Sequence, residues 1–129
     1  MDEVSIVGNA VTSDSIVARV PVALDAKNWL PVLSPGDPVI EVHIAGGSRL
    51  SVGECMDSFR RAIDFFPRRY APIEFAGFVC SSWLLDPALP RILPKESNIV
   101  RFARMFNVLP TLGYESQTYD RYYILYCLL

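Results

Sequence analysis

The feature that most constrains this chain is a helix signature between Ser51 and Phe66, entered from a short apolar strand through paired glycines. Val52, Cys55, Met56, Phe59, Ala62, Ile63 and Phe66 recur at intervals of three and four. That spacing draws one stripe on a helix and would scatter over both faces of a strand. Ser51 and Glu54 stand in the Ser-x-x-Glu relation that covers unpaired N–H groups at a helix start. Pro67 has no N–H to give, which predicts that the helix ends there. Upstream, Val39 to Ile44 reads as a buried strand, and Ala45-Gly46-Gly47-Ser48-Arg49-Leu50 as the turn that joins it to the helix. Strand, glycine turn and helix suit a βαβ unit, and a helix entered in this way can present free N–H groups to an anion.

The flanking sequence supplies the partners for that unit. Ile73 to Leu84 is apolar on both faces for most of its length, the pattern of a strand covered on both sides. It completes the βαβ unit, with a right-handed crossover expected. Ahead of the unit, Val4 to Leu24 reads as two short strands around a polar turn at Thr12 to Ser15. Pro21 makes the second of them an edge or bulged strand. Asp25 is expected to cap one helical turn that carries Trp29 and Leu30 inward, and Ser34 to Pro38 is a Pro-Gly turn. Behind it, Asp86-Pro87 signals a short helix with Asp86 as cap. Ser97 caps another, with Ile99, Val100, Phe102, Ala103 and Phe106 facing inward and Arg101 and Arg104 outward. Leu112 to Gln117 is turn-like, and Tyr122 to Leu129 is a run of strand formers that closes the sheet if paired. The fold class is therefore α/β with a mixed sheet, a single domain over residues 1–129.

Composition removes several function classes. A net charge of −2 with scattered positive charge leaves no basic face for nucleic acid. The arginines at 60, 61, 68 and 69 suit the solvated end of a helix, where cations are favoured. Cys55, Cys80 and Cys127 are widely spaced, so neither a disulfide framework nor a CxxC zinc site follows. With His43 the only histidine, no histidine-rich metal site is expected. Met1-Asp2-Glu3-Val4 lacks the basic start of a signal peptide, and no apolar run approaches the roughly 20 residues of a membrane span. A cytoplasmic protein, with neither nucleic acid nor membrane as partner, is the expectation.

The residues leave several sites open. The Gly46-Gly47 turn either lets the backbone approach a phosphate or is a structural turn, and the residue types alone favour the second. His43 is a general base if it faces a cleft and a hydrogen-bonded core residue otherwise. Cys80, Ser81 and Ser82 lie near the strand end where ligands gather in open α/β sheets. Cys80 as nucleophile needs His43 as its base, whereas a buried cysteine is a small hydrophobe. Trp83 is either core or pocket wall. Tyr114, Tyr119, Tyr122, Tyr123 and Tyr126 are candidate phenol acids among which spacing does not choose.

Several fixed-spacing motifs together carry a family resemblance: Val42-His43-Ile44-Ala45-Gly46-Gly47, Leu50-Ser51, Glu54-Cys55, Cys80 to Pro87, and Ser97 to Phe102. Over roughly Val17 to Pro110 the chain resembles the C-terminal module of bacterial GNAT-like acyltransferase-domain proteins. The resemblance implies the C-terminal half of a GNAT fold, with Val39 to Ile44 as central strand and the strand from Ile73 splaying from it to form a wedge. It implies acetyl-CoA or another acyl-CoA as substrate, with no metal, and a small-molecule amine as acceptor. The thioester's phosphates would lie at Ala45, Gly46, Gly47, Ser48, Arg49, Ser51 and Ser81. It implies His43 as base and Tyr114 or Tyr119 as the acid that protonates the leaving thiolate. Three departures accompany it. Arg49 and Gly53 are one residue too far apart for the superfamily's Arg/Gln-x-x-Gly loop, Ser81 stands where relatives carry His, and residues 118–129 are atypical. A complete GNAT domain also has an opening strand and two helices without clear counterpart here. The expected function is an N-acyltransferase module needing an N-terminal half for activity; the alternative is a non-catalytic ligand-binding or interaction domain. A homodimer through the sheet edge or the tail is a further expectation.

Overall fold

The computed structural model describes residues 5–12, 16–109 and 122–125. At its centre strand β3 (Ile40–Glu41) leads through the glycine loop into helix α1 (Val52–Arg69) and then into β4 (Phe78–Ser81), which pairs parallel to β3. This is the expected βαβ unit. Short elements follow: a 3₁₀ turn at Trp83–Leu85, helix α2 (Leu89–Ile92), helix α3 (Asn98–Ala103) and β5 (Asn107–Leu109). Strand β6 (Tyr122–Leu125) inserts between β4 and β5, antiparallel to both, so the sheet is mixed with order β3-β4-β6-β5. Phe78↔Leu125 and Asn107↔Ile124 set the register.

Helix α1 begins where the sequence places it, but only one half of the expected reciprocal cap forms, because Glu54 meets the Ser51 hydroxyl and not its N–H. Ser51 caps it by accepting from the Glu54 N–H, while the Glu54 carboxylate accepts from the Ser51 hydroxyl at 2.8 Å. Its end differs from expectation: the helix passes through Pro67 and stops after Arg69. Proline forfeits only its own N–H bond, and in the last turn the neighbouring bonds survive. Tyr70 N–H still reaches Phe66 O at 3.0 Å, and the Asp64–Arg68 ion pair at 2.6 Å spans the proline. The apolar stripe is seated with Phe59 buried at its middle, and only Val52 in the first turn is exposed.

Phe59 packs on Phe78 of β4 with ring centroids 5.0 Å apart, and edge-on to Phe106 at 6.4 Å. Phe102 of α3 meets Phe106 at 5.0 Å. Ile40, Cys80 and Leu85 complete the buried cluster. The Ser97 hydroxyl accepts from Val100 N–H at 3.3 Å, starting α3 where the sequence places it, with Val100 and Phe102 buried and Arg101 and Arg104 exposed.

Other elements are shorter than expected. Of Val39 to Ile44 only Ile40–Glu41 forms a strand, although Ala76 N–H to Pro38 O and Val42 N–H to Val79 O extend the pairing at both ends. Of Ile73 to Leu84 only Phe78–Ser81 is strand, all but Ser81 buried. Before it, Ile73 N–H closes a turn onto Tyr70 O; after it, the Ser82 hydroxyl accepts from Leu84 N–H at 3.2 Å and coils the chain into the 3₁₀ turn. Asp86 caps the turn before α2 by accepting from Ala88 N–H at 2.8 Å, so the helix itself starts only at Leu89. Strand β5 has no signal in the sequence beyond its three residues.

Strands β1 (Ser5–Gly8) and β2 (Val22–Asp25) form a separate antiparallel ribbon. Thr12 N–H to Ile16 O closes its turn, and a Val11↔Val17 bridge continues the pairing. Three steps of chain from Gly8 to Val11 lie opposite five from Val17 to Val22, which places the bulge beside Pro21, a residue without a ladder donor. Among the described residues none before Ile40 is buried. Trp29 and Leu30, expected inward, are exposed: Asp25 holds only a turn, through Lys27 and Asn28, and no apolar surface lies over it to cover them. The Ser13 to Ser15 part of the first turn, Leu112 to Gln117, Tyr126 to Leu129 and Cys127 lie outside the described residues.

Among the described residues no helix is long and apolar enough to cross a membrane. Two consequences of this packing are measurable. Phe59→Ala removes the ring that joins α1, β4 and Phe106, with an expected cost of about 3–5 kcal/mol by urea titration. Burial first, and then Glu41, push the Cys80 thiol up to about 11. The native state therefore holds this proton more tightly than the unfolded chain, and its contribution is complete below about pH 9 and is lost as pH rises toward about 11. Urea titrations of the native chain and Cys80→Val over that window are expected to diverge by an amount on the order of 2 kcal/mol, the native chain falling more steeply.

Candidate functional site

The parallel ladder between β3 and β4 stops at the Val42–Val79 bond, and among the described residues no backbone bond joins the two strands beyond it. Past that point the chains diverge around the 44–50 loop. The smaller of two cavities, about 410 Å³, lies between that loop and the first turns of α1 and includes His43, Glu54, Cys55 and Ser58, with Phe59 and Phe102 of the core. The larger, about 560 Å³, lies between the loop, the 3₁₀ turn and the start of α3. Gly47, Ser48, Arg49 and Leu50 line both, so the loop is the shared wall of one two-lobed cleft.

The loop is held by few bonds of its own. Ser48 donates twice to Ala45 O, from its N–H at 3.1 Å and its hydroxyl at 2.6 Å. Asn98 Nδ2 donates to Arg49 O at 2.9 Å and ties the loop to α3, 49 residues away in sequence. The N–H groups of Gly46, Gly47, Arg49 and Leu50 meet no acceptor among the described residues, and the Arg49 guanidinium has no partner there. Gly47 has φ +79° and Leu50 φ +53°, so the backbone bends twice through the left-handed region, once at a residue that pays for it with strain.

The expected site residues separate into groups. Gly47, Ser48 and Arg49 line both lobes; Ala45 and Gly46 line the larger one. Ser51 lines neither, being engaged as the helix cap. Ser81 also lines neither: it ends β4 in register with Tyr122, and the cleft residue is its neighbour Ser82. Tyr114 and Tyr119 lie outside the described residues. His43 is not a core residue; its side chain is 82 % exposed and its Nε2 lies 3.4 Å from a Glu41 carboxylate oxygen. Cys80 is fully buried with a raised pKa, which suits a core hydrophobe and not a thiolate nucleophile. Burial, and then Glu54, also raise the pKa of Cys55 in the smaller lobe. Trp83 is a cleft wall, 66 % exposed. Among the described residues no three His, Cys, Asp or Glu side chains are placed to hold a metal ion.

Cys55 and Asn98 stand in the sequence within the motifs Glu54-Cys55 and Ser97 to Phe102 but not as site residues, and the bond of Asn98 spans too much chain for any local pattern. The two glycines give a direct test of the loop geometry. A Cβ at either position meets nothing within 4 Å, but only Gly47 needs a positive φ. Gly47→Ala is expected to cost about 1 kcal/mol and Gly46→Ala to be within about 0.5 kcal/mol of neutral or slightly stabilising, as read by thermal and urea unfolding.

Comparison with known proteins gives one match. No curated protein and no solved structure matches the chain. A family model described as the GNAT-like C-terminal domain matches residues 14–125, extending past Pro110 through β6. That span covers the βαβ unit, the loop and both lobes of the cleft, and the chain belongs to the GNAT-like C-terminal domain family.

Proposed function

We propose that the chain is an acyl-CoA-binding module of an N-acyltransferase, with the 44–50 loop holding the phosphates of the thioester substrate. The observation that carries this is the loop itself: N–H groups at Gly46, Gly47 and Arg49, and a guanidinium, that meet no partner among the described residues, on the shared wall of a cleft. Backbone donors with a cation beside them form the chemistry that recognises phosphate oxygens. The open space before Gly46 leaves room for an anion to approach the backbone. Glu54, whose carboxylate is engaged with Ser51, lies on the smaller lobe and opposes a second anion there.

Transfer to a small-molecule amine forms the amide C–N bond and breaks the thioester C–S bond. The amine must lose a proton and the departing thiolate must gain one. His43 is the candidate for the first proton: it is exposed on the smaller lobe, and Glu41 can hold its Nε2 so that Nδ1 is free for the amine. Tyr114 and Tyr119 remain the candidates for the second.

A non-catalytic binding domain is the second reading, favoured by one observation: among the described residues no histidine, aspartate or glutamate lines the larger lobe to serve as a base there. Calorimetry separates the two from a chain that binds no thioester. Acetyl-CoA and free CoA are expected to bind the native chain saturably, and Gly46→Glu and Arg49→Ala each to weaken binding at least tenfold. No binding at millimolar ligand sinks the proposal. If binding holds, His43→Gln is expected to leave the Kd within about twofold while abolishing amine acylation; unchanged acylation would remove His43 as the base.

A further inference from the structure

We infer that the larger lobe receives the acyl group of the thioester, with Trp83 as its contact wall, and that this group is an apolar chain of several carbons. The inference rests on the acyl-CoA reading above and adds the class of donor. Five residues give the lobe its apolar character: Ile44, Leu50, Trp83, Leu84 and Ile99. Among the described residues its only charged lining residue is Arg49, on the loop side. The smaller lobe, by contrast, carries His43, Arg49 and Glu54. Apolar side chains line both lobes, and Ile44, Leu50 and Arg49 are shared; what separates the two is that His43 and Glu54 stand only in the smaller one, while the exposed indole stands only in the larger.

Trp83 is held where it is by its backbone. The Ser82 hydroxyl accepts from Leu84 N–H at 3.2 Å, Leu85 N–H reaches Ser82 O at 3.1 Å and Asp86 N–H reaches Trp83 O at 3.0 Å. Buried Cys80 and buried Leu85 pin the chain on either side. An indole two-thirds exposed on so fixed a turn keeps a large apolar area wet in the free protein, and a hydrocarbon laid against it recovers that area. Across the lobe, the Asn98 bond to Arg49 O fixes the spacing of the facing walls, so the space is standing before the ligand arrives. An acetyl methyl would leave most of a space of about 560 Å³ to water. A longer chain fills more of it and displaces more of that water.

The test uses a chain-length series. With Trp29→Phe as background, so that Trp83 is the sole indole, emission is followed while free CoA, acetyl-, butyryl-, hexanoyl- and octanoyl-CoA are titrated. The expected result is a blue shift with the longer donors and a Kd that falls by roughly two- to fourfold per added methylene until the lobe is full. By calorimetry in the chain with Trp29 intact, Trp83→Ala is expected to flatten that dependence while free CoA binds within about twofold, and Trp83→Phe to restore part of it. A Kd that does not change from acetyl to octanoyl, with CoA binding intact, overturns the inference and leaves the acyl-CoA reading standing. Binding of octanoyl-N-acetylcysteamine, which has the chain without the phosphates, in a protein that binds no CoA species would do the reverse, supporting the lobe and overturning the phosphate site. Absence of both overturns both.

Discussion

The contact of Phe59 with Phe78 is the one on which the rest of the structure depends. It presses the middle of α1 onto the buried strand β4, and through Phe106 and Phe102 it draws in α3. Every element that walls the cleft is anchored to this cluster and then runs away from it. The helix start carries the loop, the end of β4 carries the 3₁₀ turn, and the start of α3 carries Asn98. The cleft opens where the buried cluster ends and the parallel ladder runs out of bonds. Binding space of this kind needs no hole in a core; it follows from strands and helices that share a root and separate at their tips.

Within that space, structure and chemistry have been sorted by the loop. Its backbone turns through Gly47 and Leu50 so that several amides face away from the chain's own acceptors. A loop that satisfied those amides internally would be more stable and would have nothing to offer a ligand. The same trade appears at Trp83, where a rigid turn keeps an indole in water. Both are places where local stability is forgone on fixed backbone, and both lie on the larger lobe.

The parts legible in the sequence were those set by short-range rules. Ser51 with Glu54, and Ser97 ahead of Val100, declare helix starts because a cap and its donor are three residues apart. The stripe of α1 located the core because seven apolar residues on one face leave no other use for that face. Pro67 misled because its cost in a last turn is one bond, while the Asp64–Arg68 ion pair and the Phe66–Tyr70 stack, each four residues apart, carry the helix across it. Apolar runs overstated the strands: Ile73 to Leu84 is uniformly hydrophobic, yet Ser82 bends it with one hydroxyl. Trp29 and Leu30 looked like core by type alone, and type says nothing about whether another surface is at hand. At the site, the glycine turn was visible and its tie to the rest of the fold was not, because that tie is a bond to Arg49 O from Asn98, 49 residues on.

The position of β6 carries a consequence for how the chain is made. It is the last of the described strands in sequence, yet it lies inside the sheet, between β4 and β5. Until residues 122–125 have been synthesised and have left the ribosome, β4 has one unpaired edge and β5 has no strand beside it. The βαβ unit can close early from neighbouring segments, but the sheet is completed only by a late arrival over a long stretch of chain. A nascent chain paused before Tyr122 would carry a buried-type apolar strand with an open edge, the state in which chaperone capture competes with aggregation. The same insertion makes translation through β6 a checkpoint, since only a product that includes it can hide the edge that marks the sheet as unfinished.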